Sequence, residues 1–348
     1  MRVLWLCPWL RPLARIHAEH LQALGAEVVL VTAPLHPESD SPREYEVELL
    51  GRPIPTAGWL PFAAAYRNAR RFQPDIVVTE LLRDPRWRAF GRLAPRLRIV
   101  HDARPHDTTQ RAPWWNRMFF DRWDAAAYAT VVFSNHVANS VCAAGMPRQS
   151  VYVAPLPSDL DPALAPAFVS GEARENFLLI GRQLPYKNHR VIFEAWESHV
   201  RGAAWRGDEL VLLGDGDVPL PLPEHVRWNR GSYRYRAIVS ELASAKGSIV
   251  HSRAASQSGV QVLSMQLGVP TLVSTAGALP EYQPPGLSVT GIDDVAGLAA
   301  AIDVLADPAE VDRQAKVALA HYRANYSAEV AAARLLEIFH QVVQDARR

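Results

Sequence analysis

The segment Ile249–Ser274, IVHSRAASQSGVQVLSMQLGVPTLVS, constrains the fold more than any other stretch of this chain. It reads as a buried strand, a Ser/Gln/Gly turn, an amphipathic helix, a Gly-Val-Pro break and a second buried strand. A strand, helix and strand of this length form the crossover of a parallel sheet, so the region belongs to an α/β fold. The helix begins at Ser258-Gly259. Its first turn aims backbone N–H groups and the positive end of the helix dipole at whatever lies above it. Gly259 lets an anion approach the backbone closely, and Ser256, Gln257 and Ser258 add neutral donors. The pattern suits a phosphate cradle. It also suits a plain crossover whose N-cap serine only satisfies orphan amides.

A second site lies about seventy residues upstream, in NFLLIGRQLPYKN (Asn176–Asn188). The apolar run Phe177–Ile180 is a buried parallel strand, and the next helix is expected from about His189 to Val200. Between them, Gly181-Arg182 and Lys187 place two cations in a short loop at the carboxyl end of the strand, the side on which open parallel sheets bind ligands. Arg182 can grip phosphate oxygens with its fork and Lys187 can add a point charge. Two solvated loop cations are the alternative. Taken with the Ser/Gly helix start, the pair points to a diphosphate site.

Strands alternate with helices along the whole chain, and its 348 residues suffice for two such domains. Strands are expected at Val3–Leu6, Val28–Val31, Ile76–Thr79, Arg98–His101, Thr130–Phe133 and Val151–Ala154. After the Pro-rich stretch Pro155–Gly171, where the linker is expected, they resume at Phe177, Leu210–Leu213, Val226–Trp228, Ser248–His251, Thr271–Ser274 and Leu287–Val289. The expected division is residues 1–160, residues 172–326, and a terminal helix over 327–348. That helix carries Val330, Leu335, Ile338, Phe339 and Val342 on one side, a stripe that needs a surface to cover.

Several classes are disfavoured. The formal charge of +1 offers no field for nucleic acid. Two cysteines, Cys7 and Cys142, fit a reducing cytosol better than a disulfide framework. No apolar run of spanning length occurs, and the start looks like a strand broken at Pro8. The chain contains no G-x-x-x-x-G-K-[ST], and the turn after the first strand lacks G-x-G-x-x-G. Gly214-Asp215-Gly216 reads as a tight turn.

With GRQLPYKN, the GDG turn and SQSGVQVLSMQLGVPTLVSTAGALPE in place, the chain resembles a GT-B glycosyltransferase of the large family 4 type. The similarity spans nearly the whole chain and is most specific between Phe177 and Glu281. It implies two Rossmann-like parallel-sheet domains, with the C-terminal helix crossing back to the N-terminal one. It further implies a UDP- or GDP-sugar donor on the C-terminal domain and an acceptor on the N-terminal domain. Gly181, Arg182 and Lys187 would hold the donor diphosphate from one side, and Ser256, Gln257, Ser258 and Gly259 from the other. The passage Trp228–Gly231, with Arg230 and Gly231, would lie near the base. One departure matters. Many retaining members carry E-G-F-G-x-x-x-x-E here, and alignment on Gly268-Val269-Pro270 puts Ala255 and Leu263 at the two glutamate positions. Glu281 is a possible substitute acid or a surface residue.

The remaining chemistry is in IVHDARPHD (Ile99–Asp107). An apolar strand runs into His101-Asp102, with His106-Asp107 beyond, and the resemblance extends to this segment. A neutral imidazole there can accept a hydroxyl proton or bond a sugar, and a carboxylate can orient it or act as base. His101, Asp102 and His106 are therefore the catalytic candidates, in that order. A satisfied loop histidine is the alternative for His101. With no cysteine nearby and no further ligand cluster, neither a metal nor any other cofactor is expected. Nine arginines between Arg67 and Arg98, followed by PWWNRMFFDRW (Pro113–Trp123), suit either an anionic membrane surface or a solvated face over a helix core.

The sequence therefore indicates a cytoplasmic glycosyltransferase, peripheral at the inner membrane face if the basic stretch meets lipid. It would transfer a sugar to a hydroxyl of a glycan or lipid-linked acceptor in glycan or polysaccharide biosynthesis. A non-catalytic sugar-nucleotide-binding protein and a GT-B sugar-nucleotide epimerase are the rivals.

Overall fold

In the computed structural model, residues 1–36, 38–49, 58–102 and 114–348 are described, 114–117 by backbone alone. Two compact units emerge: Met1–Asp159 with Ala328–Arg348, and Leu160–Ser327.

The first unit is built on β1 (Arg2–Cys7), β2 (Glu27–Thr32), β3 (Glu46–Glu48), β4 (Ile76–Glu80), β5 (Arg96–Val100), β6 (Ala129–Val132) and β7 (Val151–Val153). Among the described residues they form one parallel sheet in the order β3-β2-β1-β4-β5-β6-β7. The helices α1 (Arg11–Ala23), α2 (Trp59–Phe72), α3 (Trp114–Ala125) and α4 (Asn135–Ala143) connect the strands. The terminal helix, α11 (Ala328–Ala346) in chain order, buries Leu335, Ile338, Phe339 and Val342, while Val330 is only half-buried. It packs on α1, and the Phe339 ring meets Trp5 edge-on at 6.4 Å. The one-sided stripe thus finds its surface on the first unit, although about 170 residues separate α11 from the rest of it in sequence.

The second unit contains β8 (Glu175–Ile180), β9 (Leu210–Leu213), β10 (Val226–Asn229), β11 (Ala245–Val250), β12 (Thr271–Ser274) and β13 (Val289–Thr290). These run parallel in the order β10-β9-β8-β11-β12-β13. Around them lie α5 (His189–Arg201), α6 (Tyr235–Ala243), α7 (Gly259–Gln266), α8 (Leu279–Tyr282), α9 (Val295–Val304) and α10 (Pro308–Asn325). Alternate residues of β8 feed opposite layers. Phe177 and Leu179 pack with Trp196, Leu298 and Ile302, whereas Leu178 and Ile180 pack with Ile238, Leu242 and Leu263. Burial on both faces explains why the strand reads as an unbroken apolar run.

Three features depart from the sequence expectation. The Pro-rich stretch is not a free linker beyond residue 159. Leu160 is buried with Leu178 and Leu267, and Gly171 lies so close to Pro308 that a Cβ there would sit 2.0 Å from its carbonyl oxygen. The strand expected over Arg98–His101 runs Arg96–Val100, because Arg96 is buried over the Trp123 ring, 3.7 Å from its centre. Edge strand β3 carries no apolar run and escapes a hydrophobicity reading. Its Glu46 is buried instead against Arg11 and Arg15 of α1, at 2.5 Å from each.

Candidate functional site

Each sheet reverses its strand order once, between β1 and β4 in the first unit and between β8 and β11 in the second. Such switch points open a crevice at the carboxyl ends of the strands. Arg182, Lys187 and the start of α7 follow the two strands of the second switch, and His101 follows β5, one strand beyond the first.

In the second unit, β8 is followed by Gly181, whose φ of +97° turns the chain sharply. Lys187 then folds back over it. Its Nζ donates to the Ile180 carbonyl at 2.6 Å and lies 3.4 Å from the place a Gly181 side chain would occupy. The Val260 side chain of α7 approaches the same place at 3.7 Å, so the loop and the helix start share one spot. Lys187 is only 6% exposed and has no carboxylate within ion-pair distance among the described residues. Burial, helped by the neighbouring Arg182 charge, lowers its pKa to about 8. Arg182 itself is exposed. Across the spot, Ser258 caps α7 by accepting from the Gln261 N–H at 3.1 Å. The first-turn amides have no partner inside the helix, and a Cβ at Gly259 would meet nothing within 4 Å. Ser256 is buried, and Gln257 half-buried, in the turn before it.

The loop is rigid for reasons no local pattern displays. Gln183, fully buried, donates to the Leu179 and Gly181 carbonyls at 3.1 and 2.8 Å, and His189 meets its Oε1 at 3.0 Å. The GDG turn runs against it. Side chains at Gly214 and Gly216 would strike the Gly181 and Gln183 carbonyl oxygens at 2.3 and 2.0 Å. These two glycines are therefore demanded by close backbone approach, not only by a tight turn. Arg253 N–H donates to the Tyr186 carbonyl at 2.8 Å and fastens the Lys187 loop to the segment leading into α7.

Arg230 and Gly231 follow β10. The Arg230 guanidinium lies over the Trp228 ring at 5.1 Å, and Trp228 Nε1 donates to the Gly214 carbonyl at 2.8 Å, tying this passage to the GDG turn. Glu281 lies on α8 with its side chain exposed, and its carbonyl accepts from Tyr326 of the segment after α10 at 3.0 Å. Ala255 and Leu263 are both buried in apolar clusters.

In the first unit, His101 sits just past β5 and is 6% exposed. Its Nε2 meets Glu80 Oε1 at 2.6 Å, and Trp5 Nε1 donates to Glu80 Oε2 at 3.0 Å. Burial pushes the Glu80 carboxyl up, but the bond and charge of His101 outweigh it and hold the pKa below its ordinary value. Cys7 also faces Glu80, and burial, with that carboxylate beside it, raises its thiol well above the usual range. His17 lies between Trp5 and Phe133, ring centres at 5.1 and 6.2 Å, with no hydrogen-bond partner for either nitrogen among the described residues; burial lowers its pKa to about 4. Asp102 is exposed. His106 lies outside the described residues. Glu80, Trp5 and His17 escaped the sequence reading because each completes an ordinary apolar strand or helix stripe. A carboxylate ending the run Ile76–Thr79 was the one available signal.

The arginines sort into two groups. Arg88, Arg96 and Arg98 are buried or half-buried, with Arg98 donating to Thr130 at 3.1 Å, and Arg86, also half-buried, pairs with Asp84 at 2.5 Å. Arg67, Arg70, Arg71, Arg83 and Arg92 remain exposed. Among the described residues no helix is long and apolar enough to cross a membrane, and no group of three or more metal-ligating side chains occurs.

Two family models match the chain: Glycosyltransferase Family 4 over residues 14–162, and Glycosyl transferases group 1 over residues 174–307. Among solved structures, sucrose-phosphate synthase from Thermosynechococcus elongatus is similar at 16% identity and a TM-score of 0.72, covering 99% of this chain and 100% of that one. HepE of Anabaena, solved in complex with UDP and glucose, is similar at 14% identity and a TM-score of 0.68, covering 98% and 100%. The lipopolysaccharide outer core galactosyltransferase WaaB is similar at 12% identity and a TM-score of 0.59, covering 98% and 100%. None of the curated proteins matches the sequence.

Proposed function

We propose that this chain, which belongs to the GT-B glycosyltransferases of the family 4 type, moves a sugar from a nucleoside-diphosphate sugar to a hydroxyl acceptor. The observation that carries the donor reading is Lys187: a buried ammonium with no carboxylate partner among the described residues, over a glycine and beside an open helix start. Such a site is electrostatically incomplete, and a diphosphate completes it. The HepE structures hold UDP or UDP-glucose, which supports a nucleotide sugar as the occupant.

In this reading the acceptor oxygen attacks the anomeric carbon as the bond to the diphosphate breaks. Arg182, Lys187 and the amides at Gly259 stabilise the departing charge. Arg230 and Gly231 lie near the base. His101 takes part from the first unit, accepting the hydroxyl proton or bonding a sugar hydroxyl. The first unit takes the acceptor, a glycan or lipid-linked intermediate of glycan synthesis. The exposed Trp59 and Leu60 at the start of α2, with Arg67, Arg70 and Arg71 further along it, offer a face for anionic lipid at the inner side of a membrane.

Calorimetry with UDP, GDP, their glucose conjugates and free uridine tests the donor site. We expect a diphosphate to bind and uridine to bind far more weakly. No binding of any nucleotide sugar refutes the reading. Binding without nucleotide release points to a non-catalytic binder, and isomerised donor points to an epimerase.

A further inference from the structure

We infer that Asn188 is a positioning residue that holds the Lys187 loop closed, so that the Lys187 ammonium stays where a donor diphosphate would meet it. This rests on the proposed part of Lys187 in donor binding. Asn188 follows Lys187 directly, is 3% exposed and has a φ of +59°, a left-handed conformation that asparagine tolerates. Its side chain reaches the segments that follow two other strands. Nδ2 donates to the Ile292 carbonyl, after β13, at 2.7 Å and to His251 Nδ1, after β11, at 3.2 Å. Oδ1 accepts from Arg253 Nη1 at 2.7 Å. The partners fix the orientation of the amide. A carbonyl only accepts and a guanidinium only donates, so turning the amide over would set like against like at both ends. His251 Nε2 in turn donates to the Gly291 carbonyl at 3.1 Å, which agrees with Nδ1 as the acceptor for Asn188. Arg253 also pairs with Asp293 at 2.9 Å. One buried amide thus ties the loop after β8 to the segments after β11 and β13.

That tie opposes a pull. A buried ammonium gains hydration if its loop opens, and Lys187 has no carboxylate partner among the described residues to hold it in. Calorimetry with UDP on Asn188→Gly, Lys187→Met and the double variant tests the tie. Glycine keeps the left-handed backbone and removes the amide. Asn188→Gly should weaken UDP binding about tenfold. In the Lys187→Met background it should change the affinity less than about twofold, because a residue that acts through Lys187 then has nothing to position. Melts from pH 7 to 10 give a second readout. A Lys187 that reaches water regains its ordinary pKa, so Asn188→Gly should lose the rise of stability with pH that Lys187→Met loses. The other groups facing Lys187 are Arg182 and His189 of α5, whose pKa burial lowers to about 4, below this range. General weakening would lower the midpoint alike at every pH.

Arg253→Met removes one partner of the amide from an exposed position and keeps the backbone bond to Tyr186. It should show the same pattern at about threefold, and it serves as the test if Asn188→Gly fails to fold. Unchanged UDP binding, a loss of the same size with and without Lys187, or a pH slope equal to that of wild type overturns the inference. A Lys187→Met protein that binds UDP as tightly as wild type overturns the donor reading of Lys187, and the inference with it.

Discussion

The Lys187 loop and the His101 pocket both lie at the carboxyl ends of parallel strands, at or beside a switch point of the sheet, and solve opposite electrostatic problems. At His101 the protein supplies both partners: a buried imidazole, a buried carboxylate 2.6 Å away and an indole donor on its other oxygen. At Lys187, among the described residues, it supplies the cation with no carboxylate partner, held by the Ile180 carbonyl at 2.6 Å. The first site pairs its buried carboxylate from within the protein. The second is left short of a negative charge. A self-satisfied cluster serves orientation, and an unsatisfied one serves binding, because a buried charge without a partner gains most from an arriving ion.

The largest expected effect separates function from support at His101. His101→Gln keeps an N–H near the Nε2 position for Glu80 and removes Nδ1, so kcat should fall roughly 10²–10⁴-fold with near-normal stability. Near-normal turnover would demote the histidine to structure. His101→Ala also removes one of the donors to the buried Glu80 carboxylate, and denaturant melts should show a loss of about 1–3 kcal/mol. An unchanged midpoint would break the view of the pocket as self-satisfied.

Lys187 should behave in the opposite sense. Its pKa of about 8 in the folded protein lies below the ordinary 10.5, so holding it charged costs the free protein about 3 kcal/mol at neutral pH. Between those values the unfolded chain binds more protons than the folded one, and stability should rise with pH. Melts at pH 7 to 10 should show this slope in wild type relative to Lys187→Met, and saturating UDP should flatten it. A slope shared by both proteins would assign it to other groups. Arg182→Ala and Lys187→Ala should each weaken diphosphate binding by about 1.5–3 kcal/mol while sparing uridine. Equal losses for nucleoside and diphosphate would remove both residues from the cradle.

The smallest expected effect concerns lipid. Arg67, Arg70 and Arg71 are exposed, and each contributes about 1 kcal/mol near an anionic surface. Replacing all three by glutamate should abolish sedimentation with phosphatidylserine vesicles and leave the melting midpoint within a degree or two. Arg86, paired with Asp84, and the buried Arg96 are unsuited to this test. Wild-type protein that ignores such vesicles at low salt would make α2 a solvated face.

Much was legible from local pattern. The crossover from β11 through α7 to β12, the cations after β8 and the apolar stripe of α11 each lie within one stretch of chain, where periodicity and residue type suffice. Charged edges were harder. The Glu46-Val47-Glu48 strand has no hydrophobic signature, since its burial comes from arginines of a distant helix.

The sequence by itself determined the fold class, the family resemblance and the diphosphate candidates, because their signals are short-range: alternating strands and helices, glycines at strand ends, a serine cap. Only the tertiary structure decided which groups answer one another. Glu80 and His101 are 21 residues apart and Trp5 is 75 from Glu80; they meet because β4 pairs with both β1 and β5. Lys187 and the start of α7 meet because β8 pairs with β11. Strand order is a property of the packed sheet, so hydrogen bonding across it cannot be read from any one segment.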